Sequence, residues 1–405
     1  MSRILFAWEL GSNLGHLARD LPLARACRDA GHEVLFAASD LAATAAAFSG
    51  ESFTLLQAPR LRRLGRHGPP PINHADLLMH EGFADAAGLR GALAGWRGLF
   101  AVSRPDVLVY NHAPTALLAA RESGLRVMLL GTGFEIPPAR WPLPSLRPWQ
   151  PIPDEALRLA EQALLSSIRA CTKPGTPALH RLTDLFSPGP VHLTTFAELD
   201  PFGPRADAAY VGPVFALPTV PPVKWEASPG PRIFAYLRPS IPGVEHLLAA
   251  LQDTEAQVIC AVPNLPEAWP DRFRRLRFMP HAVALADLLP QADLAITYGA
   301  GTIATALLAG VPVLVVPQVV EQYLAGLPVE RIGAGLMLRE QRTIEACAGL
   351  LQRALEEPHF RTAARAFAER HADFDPTIAL QQLIAGINPT PSISRWTGST
   401  PPSSP

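Results

Sequence analysis

Cysteine is scarce in this 405-residue chain: Cys27, Cys171, Cys260 and Cys347 are the whole set, and they stand far apart. Without paired spacing they form neither a zinc motif nor a disulfide framework, which fits a reducing cytoplasm. An excess of positive charge is missing too. Lys and Arg number 35 against 36 Asp and Glu, for a net charge of -1, and no run of one sign occurs. A protein that grips a phosphate backbone needs a basic face, so nucleic acid is not an expected partner. Long apolar runs are also lacking. Glu9 closes the run Ile4 to Trp8 too soon for a secretory signal, and nothing approaches the roughly 20 apolar residues of a membrane span. What the chain has in quantity is proline, 43 residues, beside 48% hydrophobic residues. That combination describes rich cores joined by stiff loops, because disordered chains lack the apolar content. At roughly 150 residues per domain the length suggests two to three domains.

Short runs of Val, Ile, Leu and Phe recur between helix-period segments. The first half carries them at Arg3 to Trp8, His32 to Ala38, Asp106 to Tyr110, Arg126 to Gly131 and Val191 to Thr195. The second half carries them at Arg232 to Leu237, Ala256 to Val262, Arg275 to Met279, Asp293 to Tyr298 and Val311 to Pro317. Such runs suit parallel strands buried on both faces, and their alternation with helices such as Gly15 to Ala30 and Thr302 to Ala309 predicts two tandem Rossmann-like doubly wound α/β domains. Dense proline from Tyr210 to Arg232 marks the seam. The expected layout is a domain over residues 1–215, a linker over 216–231, a second domain over 232–388, and a Pro/Ser-rich flexible tail over 389–405. Facing sheets of this kind leave a cleft along the carboxyl ends of their strands. Proline-rich insertions lie at Arg66 to Asn73 and Ile136 to Pro153. The second offers Trp141 and Trp149 for an apolar ligand or a partner surface, or as rings that pin the loop to the core.

Two places could carry chemistry. The first strand leads into GSNLGHLARD, which puts His16 at the entry of a helix where an imidazole can reach the cleft as a general base or simply pack. Later, Gly299, Gly301 and Thr302 follow a buried strand and open a helix. Free backbone N–H groups and the helix dipole then converge on one spot suited to a phosphate group. The same segment reads as G-x-G-x-x-A (Gly299, Gly301, Ala304) with Glu321 further on, a dinucleotide fingerprint that keeps an NAD(P)-dependent oxidoreductase as an alternative. A fingerprint of that kind usually opens its domain, whereas this turn follows the fourth strand of the second half.

The N-terminal GH turn, the late glycine turn, Gly310-Val311-Pro312 and the acid–Gln pair after Pro317 together resemble the GT-B fold glycosyltransferases of the UDP-glycosyltransferase family, which act on macrolides and other natural products. The resemblance covers nearly the whole chain and is most specific from Phe278 to Gly335. It implies an inverting, metal-independent transferase with no cofactor, which moves a sugar from a UDP- or dTDP-sugar to a small apolar, polyketide or phenolic acceptor. It further implies His16 as the base, with Asn111 at the position that orients it. Donor contacts are implied at Ser240, Phe278, Met279, Pro280, Tyr298, Gly299, Ala300, Gly301, Thr302, Glu321 and Gln322, and acceptor contacts at Trp141 and Trp149. Three positions depart from the family: Thr297 replaces a diphosphate-binding His, Thr305 a ribose-binding Glu, and Asn111 the Asp that orients the base. A nucleotide-sugar isomerase or a catalytically silent binding relative shares this architecture, and a homodimer is compatible with it. The match Asp373-Phe374-Asp375 is read as the end of a C-terminal helix rather than a metal pair.

Overall fold

Runs of branched and aromatic residues that are apolar on both faces make strands only where both faces are covered, and that is how they appear in the computed structural model. It describes residues 1–11, 14–62, 69–215, 223–227, 229–339 and 342–387. The first sheet contains β1 (Arg3–Trp8), β2 (Glu33–Ala38), β3 (Thr54–Gln57), β4 (Val107–Asn111), β5 (Arg126–Gly131), β6 (Val191–Leu193) and β7 (Ala209–Tyr210). Its order is β3-β2-β1-β4-β5-β6-β7, all parallel. The second contains β8 (Arg232–Tyr236), β9 (Gln257–Ala261), β10 (Leu276–Met279), β11 (Leu294–Thr297), β12 (Val313–Val315) and β13 (Gly335–Met337). Its order is β10-β9-β8-β11-β12-β13, again all parallel.

Period-two alternation sends neighbouring residues into separate cores. Ile4 and Phe6 of β1 join Leu17, Leu21 and Phe36 on one face. Leu5 and Ala7 join Leu35, Leu93, Trp96 and Leu108 on the other. Each such side chain contributes about 1.5–3 kcal/mol on burial, so covering both faces dominates the stability of the lobe.

Three strands lie outside the apolar runs. β3 is half-exposed and β7 has two residues. β13 opens on Gly335, where a Cβ would strike the carbonyl of Val313. Weakly apolar or glycine-led segments pair here because a neighbouring strand offers its edge, which propensity does not report.

The chain does not end in its second lobe. Helix Pro376–Ile387 crosses back, and its Ala379, Leu383 and Ile387 pack with Ile4, Phe6 and Leu17 of the first sheet. Arg126 Nη2 donates to the carbonyl of Ile387 at 2.7 Å. The segment expected as one domain over 232–388 therefore contributes to two cores. Residues 216–222 and 228 of the expected linker, Arg66 to Gly68 of the first insertion, and the whole 389–405 tail lie outside the described residues. Among those described, no helix is long and apolar enough to cross a membrane.

Candidate functional site in the cleft between the lobes

In each sheet the strand order reverses once, between β1 and β4 in the first and between β8 and β11 in the second. Crossover helices diverge there, so the loops at the carboxyl ends leave a crevice. His16 and Asn111 sit at the first of these points, and Tyr298 and Gly299 at the second.

Trp8, the last residue of β1, pairs in register with Asn111, the last of β4. The turn after β1 is tied down by Leu10 N donating to the His112 carbonyl at 3.0 Å, and Trp8 Nε1 donates to the Leu10 carbonyl at 2.7 Å. Gly11 follows at φ +88°, and a Cβ there would collide with Nε2 of His16. Glycine is therefore required both for the left-handed backbone and for space beside the imidazole.

His16 lies in the first turn of helix Leu14–Asp29, is buried, and stacks on Trp8 with centroids 5.5 Å apart. Its Nδ1 is 2.7 Å from Asn111 Oδ1. The Asn111 amide nitrogen donates to Asp20 Oδ2 at 2.7 Å and to the His16 carbonyl at 3.1 Å. With its NH2 committed to two acceptors, Asn111 must turn its oxygen to the ring. The proton of neutral His16 is then on Nδ1 and the lone pair on Nε2.

Charge surrounds this ring. Arg19, one helical turn on, donates to Asn111 Oδ1 and forms a 2.8 Å ion pair with Glu135, both side chains about 2% exposed. Glu135 also accepts from Thr132 N and Oγ1, each at 2.7 Å. Burial opposes ionisation of Glu135, but Arg19 and those bonds outweigh it and hold the carboxyl well below the usual carboxylate range. Burial and the Arg19 cation bring His16 down to about 4, against the pull of Glu135 and the Asn111 bond. Burial pushes Asp20 up to about 7 despite Arg19 and Asn111. Neither Arg19, Asp20 nor Glu135 stood out in the sequence. The available signal was LARD, which puts charges three and four residues after His16 on the same helix face.

Across the cleft, Gly299 caps helix Ala300–Leu308 with no side-chain cap bond. Tyr298 is buried, stacked 5.4 Å from Tyr236, with the Arg238 guanidinium 5.8 Å from its ring centre. Gly299 faces open space, whereas a Cβ on Gly301 would strike the Phe215 ring. The second glycine is thus explained by packing. Thr302 sits half-buried in the first turn, and Thr305 Oγ1 donates back to the Gly301 carbonyl at 2.9 Å. In the loop after β8, Ser240 Oγ donates to Gln318 Oε1 at 3.1 Å, and Gln318 N donates to Gln322 Oε1 at 2.8 Å. These two bonds link the loop to helix Val320–Arg331, which carries Glu321 and Gln322.

One cavity joins the lobes. Thr132 and Phe134 line it from the first; Tyr298, Gly299, Glu321 and Gln322 line it from the second. Burial and the charge of Glu135 push Glu321 up to about 7, against the attraction of Arg19. The acid of one lobe therefore senses the ion pair of the other.

Several expected residues lie elsewhere. Phe278 and Met279 end the edge strand β10, Pro280 follows it, and none of the three lines this cavity; Phe278 leans on Trp269 at 6.3 Å. Trp141 is 39% exposed, with the Arg181 guanidinium 5.6 Å from its ring centre. Trp149 reaches the other lobe and contacts Tyr323 with centroids 4.3 Å apart. Both rings engage protein partners outside the cavity. Glu321 belongs to the first turn of a helix rather than the end of β12, so the dinucleotide fingerprint lacks its ribose-binding acid. Asp375 Oδ1 accepts from Thr377 N at 2.7 Å and Phe374 packs on Phe196, which makes that motif a turn between two helices and a start for the last one. Among the described residues, no three His, Cys, Asp or Glu side chains gather as a metal-holding group.

Two doubly wound lobes facing each other across such a cleft are the GT-B architecture, and the chain is a glycosyltransferase similar to the macrolide-type, UDP-glycosyltransferase-like enzymes. Residues 245–385 match the family described as erythromycin biosynthesis protein CIII-like, C-terminal domain. The chain is 28% identical to a PGL/p-HBAD biosynthesis glycosyltransferase of Mycobacterium tuberculosis, over 91% of this chain and 88% of that one. It is 25% identical to 4'-demethylrebeccamycin synthase of Lentzea aerocolonigenes, over 95% and 99%. The crystal structure of glycosyltransferase VinC in complex with dTDP superposes with a TM-score of 0.69 at 18% identity, covering 95% of this chain and 99% of that chain.

Proposed function

We propose that this chain transfers a sugar, with inversion and without a metal, from a UDP- or dTDP-sugar to a hydroxyl of a small apolar acceptor. The observations that carry the reading are a buried imidazole held through Nδ1 by Asn111 at the first switch point, an open helix N-terminus at the second, and a cavity between the lobes lined by Gly299, Ala300, Glu321 and Gln322.

In this reading the acceptor hydroxyl gives its proton to Nε2 of His16 as its oxygen attacks the anomeric carbon from the face opposite the leaving group. Negative charge grows on the departing diphosphate, where the N–H groups of Ala300, Gly301 and Thr302 and the Arg238 cation provide a fixed positive field. Glu321 and Gln322, at the cavity wall, bind the donor sugar's hydroxyls. Phe134 lines the first lobe's side of the cavity and favours an apolar acceptor. The dTDP complex of VinC supports a nucleotide-diphosphate donor.

A thermal-shift panel of nucleotides and nucleotide sugars identifies the donor, since a ligand that binds only the folded state raises the melting temperature. Mass spectrometry with and without phenolic and polyketide acceptors then reads the product. His16→Ala is expected to abolish turnover, by about 10²-fold or more, with donor binding nearly intact. Unchanged turnover in that variant removes His16 as the base, and product without any acceptor points to isomerisation instead.

A further inference from the structure

When a buried imidazole accepts a proton it becomes a cation out of reach of bulk water, which is costly unless an anion is coupled to it. The groups around His16 are Trp8 from β1, Arg19 and Asp20 from its own helix, Asn111 and His112 from the end of β4, and Glu135 beyond β5. Arg19 repels a proton on the ring. Glu135, paired with Arg19 and bonded by Thr132, favours one. His112 lies 6.1 Å away ring to ring, and burial holds it neutral.

Asp20 is in a different position. It is 1% exposed and lies within 2.7 Å of the same amide that meets the ring, and its second oxygen, Oδ1, is buried without a hydrogen-bond partner. We propose that Asp20 is a positioning residue. Acting through Asn111, it fixes the proton of neutral His16 on Nδ1. Its Oδ2 accepts from the NH2 of Asn111, and Asn111 then offers only an oxygen to the ring. The proposal builds on His16 being the base.

Nitrogen NMR of the isotopically labelled protein tests it without any substrate. The His16 imidazole signals are assigned by their loss in His16→Gln and followed from neutral to acid pH. The parent is expected to show one tautomer, protonated on Nδ1. Asp20→Asn keeps the shape, removes the charge and frees Asn111 to flip. It is expected to show a mixture with the Nε2–H form. An unchanged tautomer would overturn the proposal.

Because Asp20→Asn can disturb folding, the double variant Asp20→Asn/Asn111→Asp is measured beside it. Moving the carboxylate onto the ring should restore a single Nδ1–H tautomer. A folded double variant that does not restore it reduces Asp20 to packing. Turnover retained in His16→Ala defeats the base reading and leaves the NMR result standing, so the two failures are separable.

Discussion

At the scale of single residues, the first lobe buries an unusual row of imidazoles. His74 is 1% exposed, lies 6.4 Å from His112, and meets Phe134 and Phe186 edge-on, with neither ring nitrogen bonded. Burial lowers its titration from 6.5 to about 4. Between those values the unfolded chain binds a proton there and the folded chain does not, so acidification across that window favours unfolding. His74→Phe preserves an aromatic ring and removes the effect. Its stability relative to the parent is expected to improve as pH falls from 6.5 to about 4, by up to about 3 kcal/mol. Urea titrations at several pH values check this, and a gap that stays constant contradicts it. Residue-level chemistry was only partly legible in the sequence. His16 stood out because it follows an apolar strand run, where side chains reach a cleft, and Asn111 was marked by the family resemblance alone. Glu135 did not, because a lone acid in the turn GTGFE has many commoner explanations and its partner Arg19 is 116 positions away.

Elements impose the next constraint. Helix Val320–Arg331 carries Glu321 and Gln322 into the cavity, and the next residue, Tyr323, faces away to meet Trp149 of the first lobe. The Arg339 guanidinium covers the same tyrosine ring at 5.3 Å and donates to its hydroxyl. An aromatic contact between lobes thus braces the helix that lines the cavity. Trp149→Ala should raise the donor KM about two- to tenfold, the equivalent of an aromatic pair, with a smaller change in kcat. Steady-state kinetics decide, and an unaltered KM would reduce Trp149 to a loop anchor. The sequence offered this ring for a ligand, a partner surface or the core; the alternative it left out was a contact between lobes. Proline-rich loops carry no period from which a partner can be read.

For the whole molecule, the last helix acts as a clasp. Leu383 is 1% exposed among side chains of the first lobe, although the chain reaches it only after passing through the second. Leu383→Asp places a charge among Ile4, Phe6 and Leu17. It is expected to cost about 3 kcal/mol or more, with unfolding of the first lobe ahead of the second. Thermal melts followed by Trp fluorescence check this, because Trp8 and Trp96 report the first lobe and Trp225 and Trp269 the second. A wild-type melting curve would mean the helix is not needed to hold the lobe.

By itself the sequence determined two parallel α/β lobes, their strand runs, and the histidine and glycine turns at strand ends, because hydrophobic periodicity and turn chemistry are local properties. Tertiary structure decided which strands neighbour each other, and so which loops share a crevice. It also decided that a carboxylate stands behind Asn111, that an ion pair flanks the imidazole, and that the final helix belongs to the first lobe. Those outcomes depend on contacts between residues distant in the chain, and they are fixed only when both faces of each sheet are covered.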